Sequence, residues 1–163
     1  MTILLNAGNL WTDEYLDKVI ELNKQHSDIK VASLFGSISK LTPTARSADR
    51  IPYRDWGFMD RYIARAQESN IAIRYTLNQS CIGSIQDFKH SWDTKLEEDL
   101  IELHNMGVHE WIITSPLLMH LMRNLFPSDL LEVSTIAEVA TAQEAERWVD
   151  LGADGVNIAT SIN

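Results

Sequence analysis

The sequence predicts an α/β protein folded as a partial (β/α) TIM-like barrel of about five and a half βα units. Three observations predict it. Apolar runs of strand length alternate with helix-period segments along the whole chain, the pattern of βαβ units around a parallel sheet. The run 71–78 has period two: Ile71, Ile73, Tyr75 and Leu77 share one face, and Ala72, Arg74, Thr76 and Asn78 the other. A flat parallel sheet is apolar on both faces, whereas a closing barrel turns one face towards an interior that is polar near its mouth. Finally, the turn Asn6-Ala7-Gly8-Asn9 after the first strand lacks the glycine-rich phosphate fingerprint of a doubly wound sheet.

Each element follows from local pattern. Residues 2–7 form a short apolar strand, and Thr12 or Asp13 caps a helix whose stripe holds Tyr15, Leu16, Val19, Ile20 and Leu22. Residues 29–35 are the second strand. The polar stretch from Ser39 to Arg50 has no apolar periodicity, and loops of that length are usually functional or disordered. A helix over 53–69 buries Trp56, Met59, Ile63 and Ala66, and the strand 71–78 then runs into a loop holding Cys81, Gly83 and Asp87. Residues 93–106 form a helix with Leu96, Leu100 and Leu103 on one side, ended by Gly107 at the C′ position. Residues 110–115 are the fourth strand. Pro116 opens a short helix to Phe126, in a first-turn position that needs no N–H donor. After a fifth strand over 130–137, Thr141 and Glu144 form a capping box for a helix over 142–151. Gly152 stops that helix, and 155–160 form the sixth strand.

The totals set bounds. With 163 residues, 45% hydrophobic and 23% charged, the chain reads as one globular domain over 1–163. Against 23 acidic residues stand 14 basic ones, a formal charge of −9, which argues against a surface for nucleic acid. Arg46, Arg50 and Arg54 are the one basic near-cluster, either a solvated loop or an anion clamp at the barrel mouth. One cysteine excludes an internal disulfide, and an iron–sulfur or zinc site made only of this chain's thiolates. The histidines at 26, 90, 104, 109 and 120 are dispersed and form no recognisable ligand pair, so no metal site is expected. No cofactor is specified. No apolar run approaches the roughly 18–20 residues of a membrane span, and the first residues lack a basic n-region, so the cytoplasm is the expected compartment. Eight-fold barrels typically need about 250 residues. The expectation is therefore a barrel truncated on its C-terminal side, its exposed edge covered by a second copy or a partner chain.

Candidate chemistry gathers where strands end, the rim where barrel enzymes act. Cys81 follows the third strand and is a nucleophile if a base such as His90 activates it; otherwise it is a small buried apolar residue. Arg74 and Glu132 both point inward by alternation, as an internal ion pair or as substrate-binding groups. Asn78, Ser115, Ser134 and Glu138 lie towards the rim, with Glu138 a candidate general acid or base and Arg74 and Cys81 its catalytic companions. Asn6, near the end of the first strand, and Arg46 join Asn78, Ser115 and Ser134 as candidate substrate-binding residues. The five tryptophans fall mostly on helices or strand starts and are assigned to core packing.

Certain segments are familiar together: Tyr75-Thr76-Leu77-Asn78 with Cys81-Ile82-Gly83-Ser84, Trp111-Ile112-Ile113-Thr114-Ser115-Pro116, Glu132-Val133-Ser134 with Ala137-Glu138-Val139, and Leu151-Gly152-Ala153-Asp154-Gly155 before Ser161-Ile162-Asn163. Over roughly residues 70–163 the chain resembles the N-terminal barrel of the peptidase U32 family. The resemblance implies a hydrolase acting on a peptide-like or small-molecule substrate at the C-terminal rim. It also implies relatives that are oxygen-independent hydroxylases of transfer RNA, ribosomal RNA or ubiquinone precursors. Several of those hold an iron–sulfur cluster through four cysteines, which this chain with Cys81 alone does not supply. The alternatives are therefore a peptidase-like enzyme, part of such a hydroxylase, or an accessory subunit that completes its barrel with a partner.

Overall fold

Each described parallel strand lies beside the one before it, and among the described residues no crossover turns back. A computed structural model describes residues 2–39, 50–79 and 95–160. Its strands are β1 (Ile3–Gly8), β2 (Ile29–Gly36), β3 (Ala72–Leu77), β4 (Glu110–Ile113), β5 (Leu130–Val133) and β6 (Gly155–Val156), paired in the order β1-β2-β3-β4-β5-β6. A doubly wound sheet reverses its strand order at a switch point. Here every crossover between described strands steps the same way, which is consistent with right-handed connections that put the described helices on one face and curl the sheet into half a barrel.

The described helices are α1 (Asp13–Gln25), α2 (Trp56–Glu68), α3 (Lys95–Asn105), α4 (Pro116–Leu125) and α5 (Ala142–Asp150). They cover the outer face of the sheet. Leu34, Ile73, Tyr75, Leu77, Trp111, Ile113, Leu131 and Val133 face them from the strands, packed against Leu16, Met59, Ile63, Leu100, Leu103, Met119 and Trp148. The face Ile73-Tyr75-Leu77 is thus the helix side, and Arg74 and Thr76 point into the half-barrel as the alternation requires. Trp11, Trp111 and Trp148 are buried in this core; Trp92 lies outside the described residues.

Caps decide where elements start. Thr12 is the N-cap of α1, accepting the Tyr15 N–H. Asp55 accepts the Phe58 N–H at 2.7 Å, so α2 starts at Trp56 and not at 53. The capping box of Thr141 and Glu144 opens α5. Its hydrogen bonds from the backbone of Ala140, then from Thr141, hold the Glu144 carboxyl below the ordinary carboxylate range.

Several strands are shorter than expected. β5 stops at Val133, because the Ser134 hydroxyl accepts the Ile136 N–H and starts a 3-10 turn over Thr135–Ala137. β6 keeps only Gly155–Val156 of the run 155–160; beyond it the Asn157 N–H still reaches Val133, but Ala159 hydrogen-bonds to Val139 outside the sheet. The fourth strand also ends early, at Ile113.

A register shift marks β1 and β2: Leu5 pairs with Val31 but Asn6 pairs with Ser33. Ala32 is the extra residue, and both Val31 and Leu34 therefore reach the helix-side core. Ser33 turns inward, where its hydroxyl donates to Asn6 Oδ1 at 2.7 Å. Val31 lies ahead of the first β2–β3 pair, Ser33 with Ala72. The Asn23 side chain of α1 takes the place of a strand there, accepting the Val31 N–H and donating to its carbonyl, both at 2.8 Å.

Candidate functional site

At the C-terminal ends of the strands the inward side chains surround a cavity of about 440 Å³. β1 contributes Asn6 and Gly8, β3 contributes Arg74, Thr76 and the following Asn78, and β5 contributes Glu132 and the following Ser134. Asn157 after β6 and Arg50 add to this polar and charged side, while Phe35, Ile112 of β4 and Ile136 give the wall an apolar part.

Its charged floor is an Arg between two carboxylates. Arg74 Nη1 donates to Glu132 Oε2 at 2.9 Å, and Arg74 Nε lies 2.7 Å from Glu110 Oε2. The second contact is an ion pair whose angle is poor for a hydrogen bond, and Nε and Oε2 gain no other partner within the described residues. The register explains the geometry. Arg74 pairs with Glu110 across one ladder, and Glu132 lies one strand further along, opposite Ile112. All three side chains are about a fifth to a quarter exposed, so the pairing is only partly screened by solvent.

A second constellation stiffens the rim beside β1 and β2. Trp11 is buried yet has a φ of 53°, the left-handed region that disfavours a bulky side chain. Several contacts over-determine it: Asn9 Oδ1 accepts the Trp11 N–H at 2.9 Å, Arg54 Nε donates to its carbonyl at 2.7 Å, and its ring tilts against Tyr62 and Tyr75. The Tyr62 hydroxyl donates to the same Asn9 oxygen at 2.6 Å, and the Ile38 N–H donates to the Tyr75 hydroxyl. Burial raises both phenols well above their ordinary range and keeps them neutral. Asn9 and Gly36 line the cavity, and a Cβ on Gly36 would approach Trp11 Nε1 to 3.1 Å. Strain that persists this way clusters at functional sites.

Asn6, Arg74, Asn78 and Ser134 share the cavity. Ser115 does not line it: its buried hydroxyl accepts the Leu118 N–H as the N-cap of α4, directly before Pro116. Glu138 stands exposed just past the cavity wall, in a left-handed conformation that ends the 3-10 turn. Cys81, Arg46 and His90 lie outside the described residues. Ser33, Asn9 and Asn157 carry no mark in the sequence, because their inward positions depend on the bulge and on the strand ends.

One further meeting lies away from this cavity. His104, His109 and Asp129 come together at the opposite, N-terminal end of the strands.

A six-stranded parallel half-barrel with a partly polar cavity at its C-terminal rim is the architecture of βα-barrel proteins. The sequence profile of peptidase family U32 matches residues 55–163, and the chain belongs to that family. Among solved structures, the U32 peptidase Mk0906 superposes with a TM-score of 0.69 at 17% identity, covering 97% of this chain. A candidate phosphonomutase from Burkholderia cenocepacia J2315 superposes with a TM-score of 0.62 at 8% identity over 98% of this chain. The carboxyl transferase domain of Rhizobium etli pyruvate carboxylase gives 0.53 at 14% identity, covering 97% of this chain and 27% of its own. The chain spans 58% of the length of Mk0906 and 62% of the phosphonomutase. No curated protein matches it by sequence. At such identities the superpositions speak for the fold alone.

Proposed function

We propose that this chain is a U32 peptidase-like enzyme whose cavity binds a peptide-like or small-molecule substrate at the C-terminal rim. The observation that supports it is the convergence of Arg74 and Glu132 in the cavity from strands that are not neighbours. A core that needed only packing is more simply filled with apolar side chains, and ionic groups facing an open cavity offer a ligand charged partners.

In this reading Arg74 is the electrostatic group, oriented by Glu110 and Glu132 to meet a carboxylate or a carbonyl on which charge develops. Asn6, Asn78 and Ser134 fix the substrate by hydrogen bonds. Cys81 and Glu138 are the candidate nucleophile and acid–base group, with Arg46 a further anion contact. Ser115 is left out, since its hydroxyl is spent on the cap of α4. The family-related hydroxylase reading requires a cofactor from beyond this chain's single cysteine.

Peptide-library digestion followed by mass spectrometry tests the proposal. Cleavage by the wild type that disappears in Arg74→Gln, with the variant still folded, supports it. Turnover that survives Cys81→Ala, Arg74→Ala and Glu138→Ala combined contradicts it.

A second reading has its own observation. Among the described residues β1 pairs only with β2 and β6 only with β5, and Ile3, Leu4 and Leu5 of β1 are 50%, 66% and 43% exposed. Apolar edges of this kind invite pairing. We infer a partner, either a second copy or another chain, that covers the open edges. Light scattering that finds a well-folded monomer at micromolar concentration contradicts this. No helix among the described residues is long and apolar enough to cross a membrane.

A further inference from the structure

We propose that His104, His109 and Asp129 form a zinc-type metal site on the face of the half-barrel opposite the cavity. The three come from separate elements. His104 lies in the last turn of α3, His109 immediately precedes β4, and Asp129 immediately precedes β5. One ligand atom from each falls within 4.8 Å of the other two.

The distances suit a small tetrahedral ion. Bonds of about 2.0–2.1 Å place neighbouring ligand atoms of a zinc tetrahedron roughly 3.3 Å apart. His104 Nδ1 is 3.0 Å from Asp129 Oδ2, and His109 Nδ1 is 3.4 Å from Asp129 Oδ1. The two contacts use different oxygens of Asp129, so bringing one ligand atom from each residue onto a single ion takes a rotation of the His109 ring, whose side chain is 56% exposed. That exposure also leaves a side for a water as fourth ligand. Two imidazoles with one carboxylate are the donor set of a borderline-soft ion, whereas magnesium and calcium take oxygen ligands.

The surroundings hold the ligands in place. Asp129 is buried, and the Trp111 indole N–H donates to its Oδ2 at 2.8 Å. Phe126 stacks on the His104 ring, with centroids 4.3 Å apart and planes within 9°. Oriented carboxylates and locked rings of this kind are what a metal site needs beyond its ligands. As a purely structural anchor, Asp129 is already served by Trp111 and His104. The second imidazole, edge-on to the first at 4.6 Å, exceeds that need. A bound ion here staples α3 to the starts of β4 and β5, away from the proposed substrate cavity.

Cobalt(II) titration of the full chain, stripped with chelator beforehand, tests the site. The expected result is one equivalent of cobalt with visible bands of nitrogen–oxygen tetrahedral ligation, without the near-ultraviolet band that the Cys81 thiolate would add. Zinc should displace the cobalt, and zinc at about a hundredfold excess over its Kd should raise the melting temperature by several degrees. In His109→Gln both responses should vanish, while the metal-free melting temperature stays at the wild-type value because the ring is largely exposed. His104→Gln provides a second variant from another element. Wild type without cobalt bands or zinc stabilisation overturns the proposal. So does a thiolate spectrum, or a His109→Gln variant that responds as the wild type does.

Discussion

Arg74 donates to Glu132 at 2.9 Å although a whole strand, β4, lies between their backbones. The same guanidinium lies against Glu110 of that intervening strand. Replacing it with methionine therefore leaves two carboxylates facing one another. For fully buried pairs, removing one partner costs about 3–5 kcal/mol. With these groups a fifth to a quarter exposed, solvent screening brings Arg74→Met to ~1–3 kcal/mol. Glu132→Gln keeps a hydrogen-bond acceptor and should cost less than Arg74→Met. Urea denaturation of both single variants and the double variant measures the coupling. Strict additivity would mean that the pair does not act as a unit.

Tyr75 links the core to the rim. Its hydroxyl is the acceptor for the Ile38 N–H, and both residues are fully buried. Tyr75→Phe leaves that donor without a partner and should cost about 1–3 kcal/mol. The pH dependence has a definite sign. Burial raises the folded-state pKa above the ordinary 10.0, so the folded state resists ionisation that the unfolded chain permits. Stability is then intact below pH 10 and falls as the pH rises above it. Tyr75→Phe should flatten that alkaline loss without abolishing it, since Tyr62 is shifted in the same direction. Urea midpoints measured on either side of pH 10 decide; an unchanged alkaline slope would count against the assignment.

Most of the scaffold was legible because it depends on local periodicity and capping. The alternation at 71–78 located the inward face, and Thr141 with Glu144 fixed the start of α5. Arg74 and Glu132 could be placed inward from their strands alone. What escaped depends on contacts distant in sequence. No pattern within 29–35 announces that Ala32 bulges and so turns Ser33 towards Asn6. Asp129 gathers His104 and Trp111 across 25 and 18 residues, which only the closing of the sheet brings together. Strand position makes Ser115 a rim residue, yet a serine before proline is also a helix cap, and here its hydroxyl is taken by that local hydrogen bond.

Asn23 stands in for a strand. Its amide meets both backbone groups of Val31 where β3 has not yet begun. Asn23→Ala removes two hydrogen bonds from a partly buried backbone, at ~1–3 kcal/mol. The measurable signature is local: amide exchange at Val31 should speed up far more than exchange at Leu77. Uniform acceleration across the sheet would instead indicate a global loss of stability.

Gly107 shows how a helix end and a neighbouring helix constrain one position. The residue has a φ of 101°, following the last turn of α3, and its carbonyl accepts from Gln67 Nε2 of α2 at 2.7 Å. A Cβ built there would stand 2.2 Å from that same nitrogen. Gly107→Ala thus faces two separate penalties. The backbone strain costs about 1–2 kcal/mol, and the Gln67 hydrogen bond must open. Gln67 is exposed, so its side chain can swing into water, and Gln67→Ala alone should cost no more than about 1 kcal/mol. Because Gly107→Ala has already displaced Gln67, the double variant should be no less stable than Gly107→Ala by itself. Thermal unfolding of the four proteins reads this directly. A double variant whose loss equals the sum of the singles would show that Gln67 keeps its contact, and that the strain lies in the backbone alone.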